Sequence, residues 1–380
     1  MNRLALKTLI PVLTLICLWG CTFPEISAEA RTFLNLSIEY LDRYELLQTT
    51  VEDTTLGGIS AIAYDRQTQT YLALADAKEN PRIYRLAIPL ESTQPPQFGP
   101  IAVQKVIRLQ APQTQDGRSI TLDPEGLALG SNQWVYVASE GSGSDHPALF
   151  AAFDANSGNL KTTLPTPQRF QAIEQDQQAV SGIYPNLGFE SLTLTPEGDR
   201  LFSATEAPLV QDAPPDPSQP SLGVRLLHYW IGVGDPYVVA EHLYPLELPP
   251  LGSLFNGLSE LLAIDSGGHF LSLERAVNPV NHSFSAQLFQ SAVAMASDIR
   301  TLEALPEKLG NLIPIQKRLL FNFSTLDFPL GNLEGMTFGP LLADGSRSLI
   351  LVSDNGFDPK LPSEFLLFRV RQLPAMTAHP

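Results

Sequence analysis

The chain repeats one two-strand pattern five times, and this repetition limits its fold more than any other feature of the sequence. Each copy has a short apolar strand, a turn, and a second apolar strand that ends in an acidic residue. The copies start 65, 65, 70 and 74 residues apart, at Ser60, Glu125, Glu190, Glu260 and Glu334. Repeated groups of strands with no helical periodicity are typical of β-propeller blades.

The segments around each copy supply the turns and the remaining strands. Turn-forming residues such as Pro196–Asp199 and Asp265–Gly268 separate the paired strands. Further apolar segments follow each pair, for example 83–86 and 103–109 after the first copy. Proline-rich stretches lie between the copies, where a missing N–H donor costs little. The pattern therefore predicts an all-β chain of four-stranded blades without a second domain.

The last copy supplies only three strands before the chain ends, at 333–338, 349–353 and 365–370. The apolar segment 33–40 near the N-terminus can complete this blade, because closing the ring removes an exposed sheet edge. The long inserts near 160–185 and 275–330 leave room for one more blade. We therefore predict a β-propeller of five or six four-stranded blades, closed by an N-terminal strand.

The first thirty residues predict export and a lipid anchor. Arg3 and Lys7 precede an apolar run, 9–19, that is short for a transmembrane helix. The run leads into Leu18-Trp19-Gly20-Cys21, which fits a lipobox with Cys21 as the lipidated residue, although Trp19 is unusual there. A plain secretory signal cut near Ser27–Ala30 is the alternative. We expect the protein on the periplasmic or outer face of the cell envelope, anchored at Cys21.

These features predict four segments: a lipoprotein signal peptide at 1–20, a tether with the closing strand at 21–55, the propeller at 56–371 and a tail at 372–380. The two cysteines, Cys17 and Cys21, lie in or next to the signal, so the mature chain has no cysteine pair for a disulfide or a metal site. The formal net charge of −16 argues against a nucleic-acid partner. We expect a monomer that contacts the membrane only through its lipid anchor.

The repeats carry a family resemblance. The segments Asp123-Pro124-Glu125-Gly126-Leu127, Gly188-Phe189-Glu190-Ser191-Leu192 and Asn332-Leu333-Glu334-Gly335-Met336 resemble strands of the phytase-like domain in the "esterase-like activity of phytase" family. The resemblance runs from about Gly57 to Arg369. Two departures are Ser60, where the other repeats have Glu, and Ala77-Lys78, where the family tends to have Arg directly after the acid. The resemblance implies a phytase or esterase activity without fixing the substrate.

The acids of the repeats are candidate site residues because of where they stand. In a propeller the first strand of each blade lines the central channel, so strand-end residues gather at its mouth. Carboxylates that lie this close resist ionising together and need a neutralising partner. Calcium prefers an all-oxygen ligand set of this kind. We assign metal binding to Glu125, Glu190, Glu260, Glu274 and Glu334, and catalysis to Asp76, Glu140, Glu206 and Asp354.

The regular acids are also consistent with two arrangements that need no metal. Nearby cations can pair with them, or each Glu can accept backbone N–H bonds and simply seal a blade interface. If calcium binds instead, it reverses the local field and attracts a small phosphorylated substrate, and it activates water for hydrolysis. Lys78, Arg82 and Arg275 are then the candidate phosphate-binding residues.

Two other function classes, a carboxylic ester hydrolase and a binding module, are alternatives to this phosphatase hypothesis. A carboxylic ester hydrolase needs a nucleophile and a base, but the chain has no Gly-x-Ser-x-Gly motif. Of its six histidines, only His146 follows a candidate site acid, Glu140, closely enough to serve as a base at the channel mouth. The other alternative is a non-catalytic surface binding module, because a propeller fold by itself does not prove catalysis.

Overall fold

The computed structural model describes residues 32–373, except 115, 142–145, 176–177, 215, 217–218, 254 and the side chain of Gln178. The predicted signal peptide, Cys21 and most of the tail lie outside the described residues. Within the described part of the chain, no helix is long and apolar enough to cross a membrane.

Twenty strands form five antiparallel sheets of four strands each, so the prediction of an all-β propeller is confirmed with five blades. Blade 1 contains Ile59–Asp65, Thr70–Ala75, Arg82–Ala87 and Ala102–Arg108. Blade 2 contains Pro124–Leu129, Trp134–Ser139, Leu149–Asp154 and Leu160–Leu164. Blade 3 contains Phe189–Leu194, Arg200–Thr205, Val224–Trp230 and Tyr237–Tyr244. Blade 4 contains Phe255–Ala263, His269–Val277, Phe284–Ala292 and Gln316–Asn322. Blade 5 contains Asn332–Leu341, Arg347–Asp354, Ser363–Gln372 and, outermost, Leu36–Leu46.

The inserts that left room for a sixth blade form outer strands and small elements instead. They include the outer strands of blades 2 and 4. The first insert also contains a two-stranded hairpin that pairs Ile173–Gln175 with Gln178–Ser181. Two further hairpins lie outside the inserts and pair Thr50–Val51 with Thr54–Thr55 and Leu90–Glu91 with Gln97–Phe98. Short 3-10 helices span Gln168–Phe170, Val210–Asp212 and Phe323–Thr325.

The N-terminal strand closes the ring, as predicted from the incomplete last copy. Leu36–Leu46 pairs antiparallel with Ser363–Gln372 from Leu36 opposite Gln372 to Leu46 opposite Ser363. The first strand of every blade is innermost and contacts the first strands of both neighbouring blades. We call the end of the channel where these strands begin the upper mouth and the end where they finish the lower mouth.

Five apolar clusters hold the blades together, one in each gap between neighbours. Between blades 2 and 3, the ring centre of Phe150 lies 4.6 Å from that of Phe189 and 5.4 Å from that of Tyr229. Between blades 5 and 1, Leu41 of the closing strand packs in a cluster with Ile59 and Phe365. The strand that closes the ring therefore also contributes to the core.

Replacing Leu41 by Ala tests the closing strand. Leu41 is 8% exposed, so truncation should lower the free energy of unfolding by about 2 kcal/mol or more. Leu47 follows the same strand and is 72% exposed, so Leu47→Ala should change it by less than about 0.5 kcal/mol. Urea unfolding of both variants measures the difference. Equal effects would show that the closing strand does not stabilise the ring.

Candidate functional site

A β-bulge interrupts the first strand of every blade near the upper mouth. At each bulge the pairing with the second strand skips one residue, which re-aims the side chain of the skipped residue. The skipped residues, in blade order, are Ser60, Glu125, Glu190, Ser259 and Glu334. Three of the five carry the carboxylates that the sequence repeats place here.

The fourth blade differs by one residue from the alignment expected from the sequence. Leu258 pairs with Glu274, and Glu260 pairs with Leu273, so Ser259 occupies the bulge. In the other blades, the second-strand residue that pairs with the last position before the bulge is followed by an acid. In blade 4 that residue is Glu274, and Arg275 follows it. The second-strand residues that stand beside the bulges at the upper mouth are therefore Asp76, Glu140, Glu206, Arg275 and Asp354.

The structure brings seven of the nine assigned acids together at the upper mouth. Burial raises the pKa of Glu125 well above its usual range, and the charges of Glu190, Asp76, Glu334 and Glu140 add to the effect. Burial is also the main cause of the raised pKa values of Glu190, Glu334 and Asp354. These acids come from four blades and influence one another in a site that is largely shielded from solvent.

One side of the mouth contains a three-acid cluster formed by Asp76, Asp123 and Glu125. One carboxylate oxygen from each residue lies within 4.8 Å of those from the other two. The Oδ1 atoms of Asp76 and Asp123 are buried and have no hydrogen-bond partner among the described residues. Burial, followed by the charges of Asp123 and Asp354, raises the pKa of Asp76 to about 6. Lys78 stands at the rim, with its Nζ 2.8 Å from Asp123 Oδ2.

The other side of the mouth is neutralised by Arg275. Its guanidinium pairs with Glu206 and, at 2.9 Å, with Glu334 Oε1, and it also donates to Asn332 Oδ1. The charges of Glu206 and Glu334 hold the Arg275 pKa above its usual range, although burial opposes this. The predicted pairing of acids with a cation therefore applies to this side of the mouth, and Arg275 has few donors left for a substrate.

Close contacts between blades explain why the three-acid cluster occurs only once among the five described interfaces. At four of the five described interfaces, the residue beside the bulge of one blade (Asp76, Glu140, Glu206 or Arg275) lies next to the residue two positions before the bulge of the next blade. That residue is glycine in three blades; Gly188, for example, donates its N–H to Glu140 Oε1 at 3.0 Å. A Cβ at Gly257 would stand 2.5 Å from Glu206 Cγ. In blade 2 the residue two positions before the bulge is Asp123, which places a second carboxylate beside Asp76. In blade 5 the equivalent residue is Asn332, which lies beside Arg275.

Three residues assigned from the sequence do not join this group. Arg82 uses its guanidinium on the Tyr84 hydroxyl at 2.6 Å and on the carbonyls of Asn80 and Thr55, both at 2.9 Å. Three of its five N–H donors therefore bind protein partners, and the residue is buried, so Arg82 is poorly placed to bind a phosphate.

Glu274 and Glu260 also point elsewhere. The buried Glu274 carboxylate pairs with Lys317 and accepts from the Tyr244 hydroxyl at 2.8 Å, so it serves an ion pair inside the protein. The buried Glu260 stands one residue beyond the bulge and accepts from the Leu261 N–H at 2.8 Å. It also accepts from the Leu192 N–H of blade 3 at 3.4 Å, so Glu260 follows the sealing alternative rather than the metal-binding one.

Sequence reasoning missed Asp123 and Asn332 as site residues. The signal was present in the Asp-Pro-Glu-Gly and Asn-Leu-Glu-Gly segments, where a polar residue replaces the glycine found two positions before the bulge in the other blades. Recognising it requires the bulge register, which decides which residue of one blade faces which residue of the next.

The fold and site define a five-bladed β-propeller with a carboxylate-rich channel mouth that can hold a metal ion. The model of the Phytase-like family, described as "esterase-like activity of phytase", matches residues 54–357. The chain belongs to this family. No curated protein matches the sequence.

Solved structures that resemble the chain are distant. Hydrazine synthase of Kuenenia stuttgartiensis is 12% identical, with 81% of each chain covered and a TM-score of 0.37. An endo-arabinase from Bacteroides thetaiotaomicron is 12% identical, covering 84% of this chain and 95% of its own, with a TM-score of 0.40. An endo-arabinanase from Bacillus licheniformis is 12% identical, covering 82% and 93%, with a TM-score of 0.41.

The raised pKa values predict how stability depends on pH in calcium-free protein. Burial raises the pKa of Asp76 to about 6 and that of Glu140 to about 8, against ordinary values of 3.8 and 4.5. The folded state therefore holds these protons more tightly than the unfolded state. The stability they contribute is complete at acid pH and is lost as pH rises through 6 and then 8. With a chelator present, the Tm should fall between pH 5 and pH 9.

Glu140→Gln tests how much of this pH dependence of the Tm comes from Glu140. Of the two groups, Glu140 alone still lowers stability between about pH 6 and pH 8, so the variant should lose that part of the fall. Asp116→Asn removes an exposed carboxylate and should keep the whole curve. Thermal melting across the pH range measures both. A Tm that rises with pH in the wild type would contradict the raised pKa values.

Proposed function

We propose that this protein is a calcium-assisted hydrolase of phosphate monoesters, of the phytase type, with its site at the upper mouth. The three-acid cluster of Asp76, Asp123 and Glu125 carries this proposal. It combines carboxylate oxygens within 4.8 Å of one another with buried oxygens that have no hydrogen-bond donor among the described residues. Buried carboxylates that lack donors are costly, and a cation removes that cost.

The donor set fits calcium better than a transition metal. Calcium takes six to eight oxygen ligands, largely from carboxylates, carbonyls and water. The three-acid cluster offers only oxygen, with no histidine or cysteine among its members. When bound, the ion supplies charge stabilisation to a phosphoryl group and activates a water. Asp76, Asp123 and Glu125 are the residues that would hold it.

Residues around the cluster supply binding and proton transfer. The Lys78 side chain is 44% exposed, so its ammonium group can turn from Asp123 to a phosphate oxygen. Burial raises the pKa of Glu140 to about 8, so its carboxyl group retains a proton at neutral pH and can donate it to a leaving alkoxide. Glu206 acts through Arg275 and is a positioning residue in this proposal. Asp354, which accepts from the Gly356 N–H at 2.8 Å, adds negative charge to the same mouth.

The scarcity of free cations limits the substrate class. Arg82 and Arg275 are committed to protein partners, which leaves Lys78 as the assigned cation that can reach a phosphate. A small ester with one phosphate group therefore suits this mouth better than a highly phosphorylated one. If the ring binds calcium without turnover, the same geometry supports the alternative of a non-catalytic surface binding module.

Asp123→Asn tests the proposed activity. Loss of one metal ligand should lower kcat/KM at least about tenfold for a chromogenic phosphate monoester and for inositol hexakisphosphate. The matched control, Asp116→Asn, removes an exposed carboxylate outside the mouth and should keep full activity. Calcium should also raise the Tm of the wild type but not that of Asp123→Asn.

The outcome separates the two function classes. If wild-type protein with calcium hydrolyses neither phosphate nor carboxylic esters, the enzyme proposal fails. A calcium-dependent rise in Tm without turnover would then support the binding module. Turnover of carboxylic esters alone would support the esterase alternative.

We also propose that the protein is an exported monomer tethered to the cell envelope by a lipid on Cys21. The lipobox-like Leu18-Trp19-Gly20-Cys21 segment supports this. Cys21→Ser should release the protein from the membrane fraction into the soluble fraction, measured by fractionation and immunoblotting. A variant that stays in the membrane pellet would instead support an uncleaved apolar anchor.

A further inference from the structure

The lower mouth of the channel contains a cavity, at the opposite end of the inner strands from the acids of the upper mouth. It has a volume of about 330 Å³ and is lined by the ends of the inner strands and by adjoining turns. The inner strand of blade 1 runs for seven residues, which separates the two mouths by about 20 Å. Equivalent apolar residues from the five blades form the cavity floor: Ile62, Leu127, Leu192, Leu261 and Met336. All five are buried, so an apolar layer separates this cavity from the acids of the upper mouth.

Two arginines line this cavity without a counter-charge. Arg347 begins the second strand of blade 5, and Arg66 lies in the turn of blade 1. Within the described ranges, neither guanidinium has an ion pair or a hydrogen bond to an acidic side chain. Burial, followed by the charge of Arg66, lowers the pKa of Arg347 to about 10. A half-buried arginine, Arg347, and an exposed one, Arg66, therefore line one cavity of a protein whose formal net charge is −16.

The one acid in the cavity lining is already engaged. Asp65 accepts hydrogen bonds from the Gln67 N–H at 2.9 Å and the Thr68 hydroxyl at 2.8 Å, and it pairs with Arg85 at 3.4 Å. Other strongly buried arginines of the described chain have partners of their own, such as Arg225 with Asp212 at 2.6 Å. Arg347 is therefore a half-buried charge that the fold itself does not compensate.

The position of Arg347 prepares it to bind an oxyanion. Its Cζ lies 3.4 Å from the centre of the Phe338 ring, so the flat face of the guanidinium stacks on the aromatic ring. Stacking occupies the face of the group and leaves the N–H donors along its edge free. Those donors have the geometry that binds carboxylate or phosphate oxygens in pairs.

We propose that the lower mouth binds a small organic anion, whose carboxylate or phosphate oxygens accept hydrogen bonds from Arg347 and Arg66 while its apolar part rests on the floor. The cavity volume lies in the range of small-molecule pockets. The site does not depend on calcium or on the acids of the upper mouth. A molecule bound here occupies the opposite end of the channel from the proposed hydrolase site.

Isothermal titration of chelator-treated protein with inorganic phosphate and with citrate tests the site and separates the two oxyanion types. The wild type should bind at least one probe, and Arg347→Gln should weaken that binding about tenfold or more. Arg118→Gln removes an exposed arginine that pairs with Asp116 and should bind as the wild type does. Asp123→Asn should also bind normally, which separates this site from the upper mouth.

Thermal melting shows whether the Arg347→Gln variant is folded. Without an anion, Arg347→Gln should melt at or above the wild-type temperature, because it removes an uncompensated charge. The bound probe should raise the Tm of the wild type but not that of Arg347→Gln. Absence of wild-type binding to both probes at millimolar concentration, or unchanged binding by Arg347→Gln, would overturn the proposal. Loss of binding in Asp123→Asn but not in Arg347→Gln would place the anion at the upper mouth and would overturn it as well.

Discussion

The propeller depends on the close approach of neighbouring inner strands, which a small residue after the bulge permits in four of the five blades. A Cβ at Gly126 would lie 2.7 Å from the carbonyl oxygen of Glu190, and one at Gly335 would lie 3.0 Å from Ala61 Cα. A larger side chain would force the strands apart and open the apolar clusters between blades. Each Glu-Gly pair therefore has two functions: the bulge directs the carboxylate to the upper mouth, and the glycine lets the next blade pack. Glu260 occupies this small-residue position in blade 4, and its carboxylate accepts a backbone N–H.

The same packing concentrates carboxylates in a place with little water, and the protein meets the electrostatic cost in different ways on the two sides of the mouth. Arg275 neutralises Glu206 and Glu334 by direct ion pairing. At Glu140 the raised pKa keeps a proton on the carboxyl group. The three-acid cluster has only the half-exposed Lys78 at its rim, and it retains buried oxygens without donors. At the proposed cation site, neither an ion pair nor a retained proton fully neutralises the carboxylates.

The two mouths of the channel have opposite electrostatic character. Carboxylates dominate the upper mouth, whereas Arg347 and Arg66 face the lower cavity. A floor of buried apolar side chains lies between them, so neither charge group can neutralise the other by direct contact. Charge separation of this kind explains how a strongly acidic chain can contain a cationic cavity.

The sequence by itself determined the blades, the strand that closes the ring and most of the acids at the upper mouth. These features follow from strand alternation and repeat spacing, which are local properties of the chain. Only the tertiary structure decided the register of blade 4, because a bulge moves the pairing by one residue and exchanges Glu274 for Arg275. It also decided that Asp123 faces Asp76 and that Arg347 lies near Arg66, since these residues meet only when different blades pack into a closed ring.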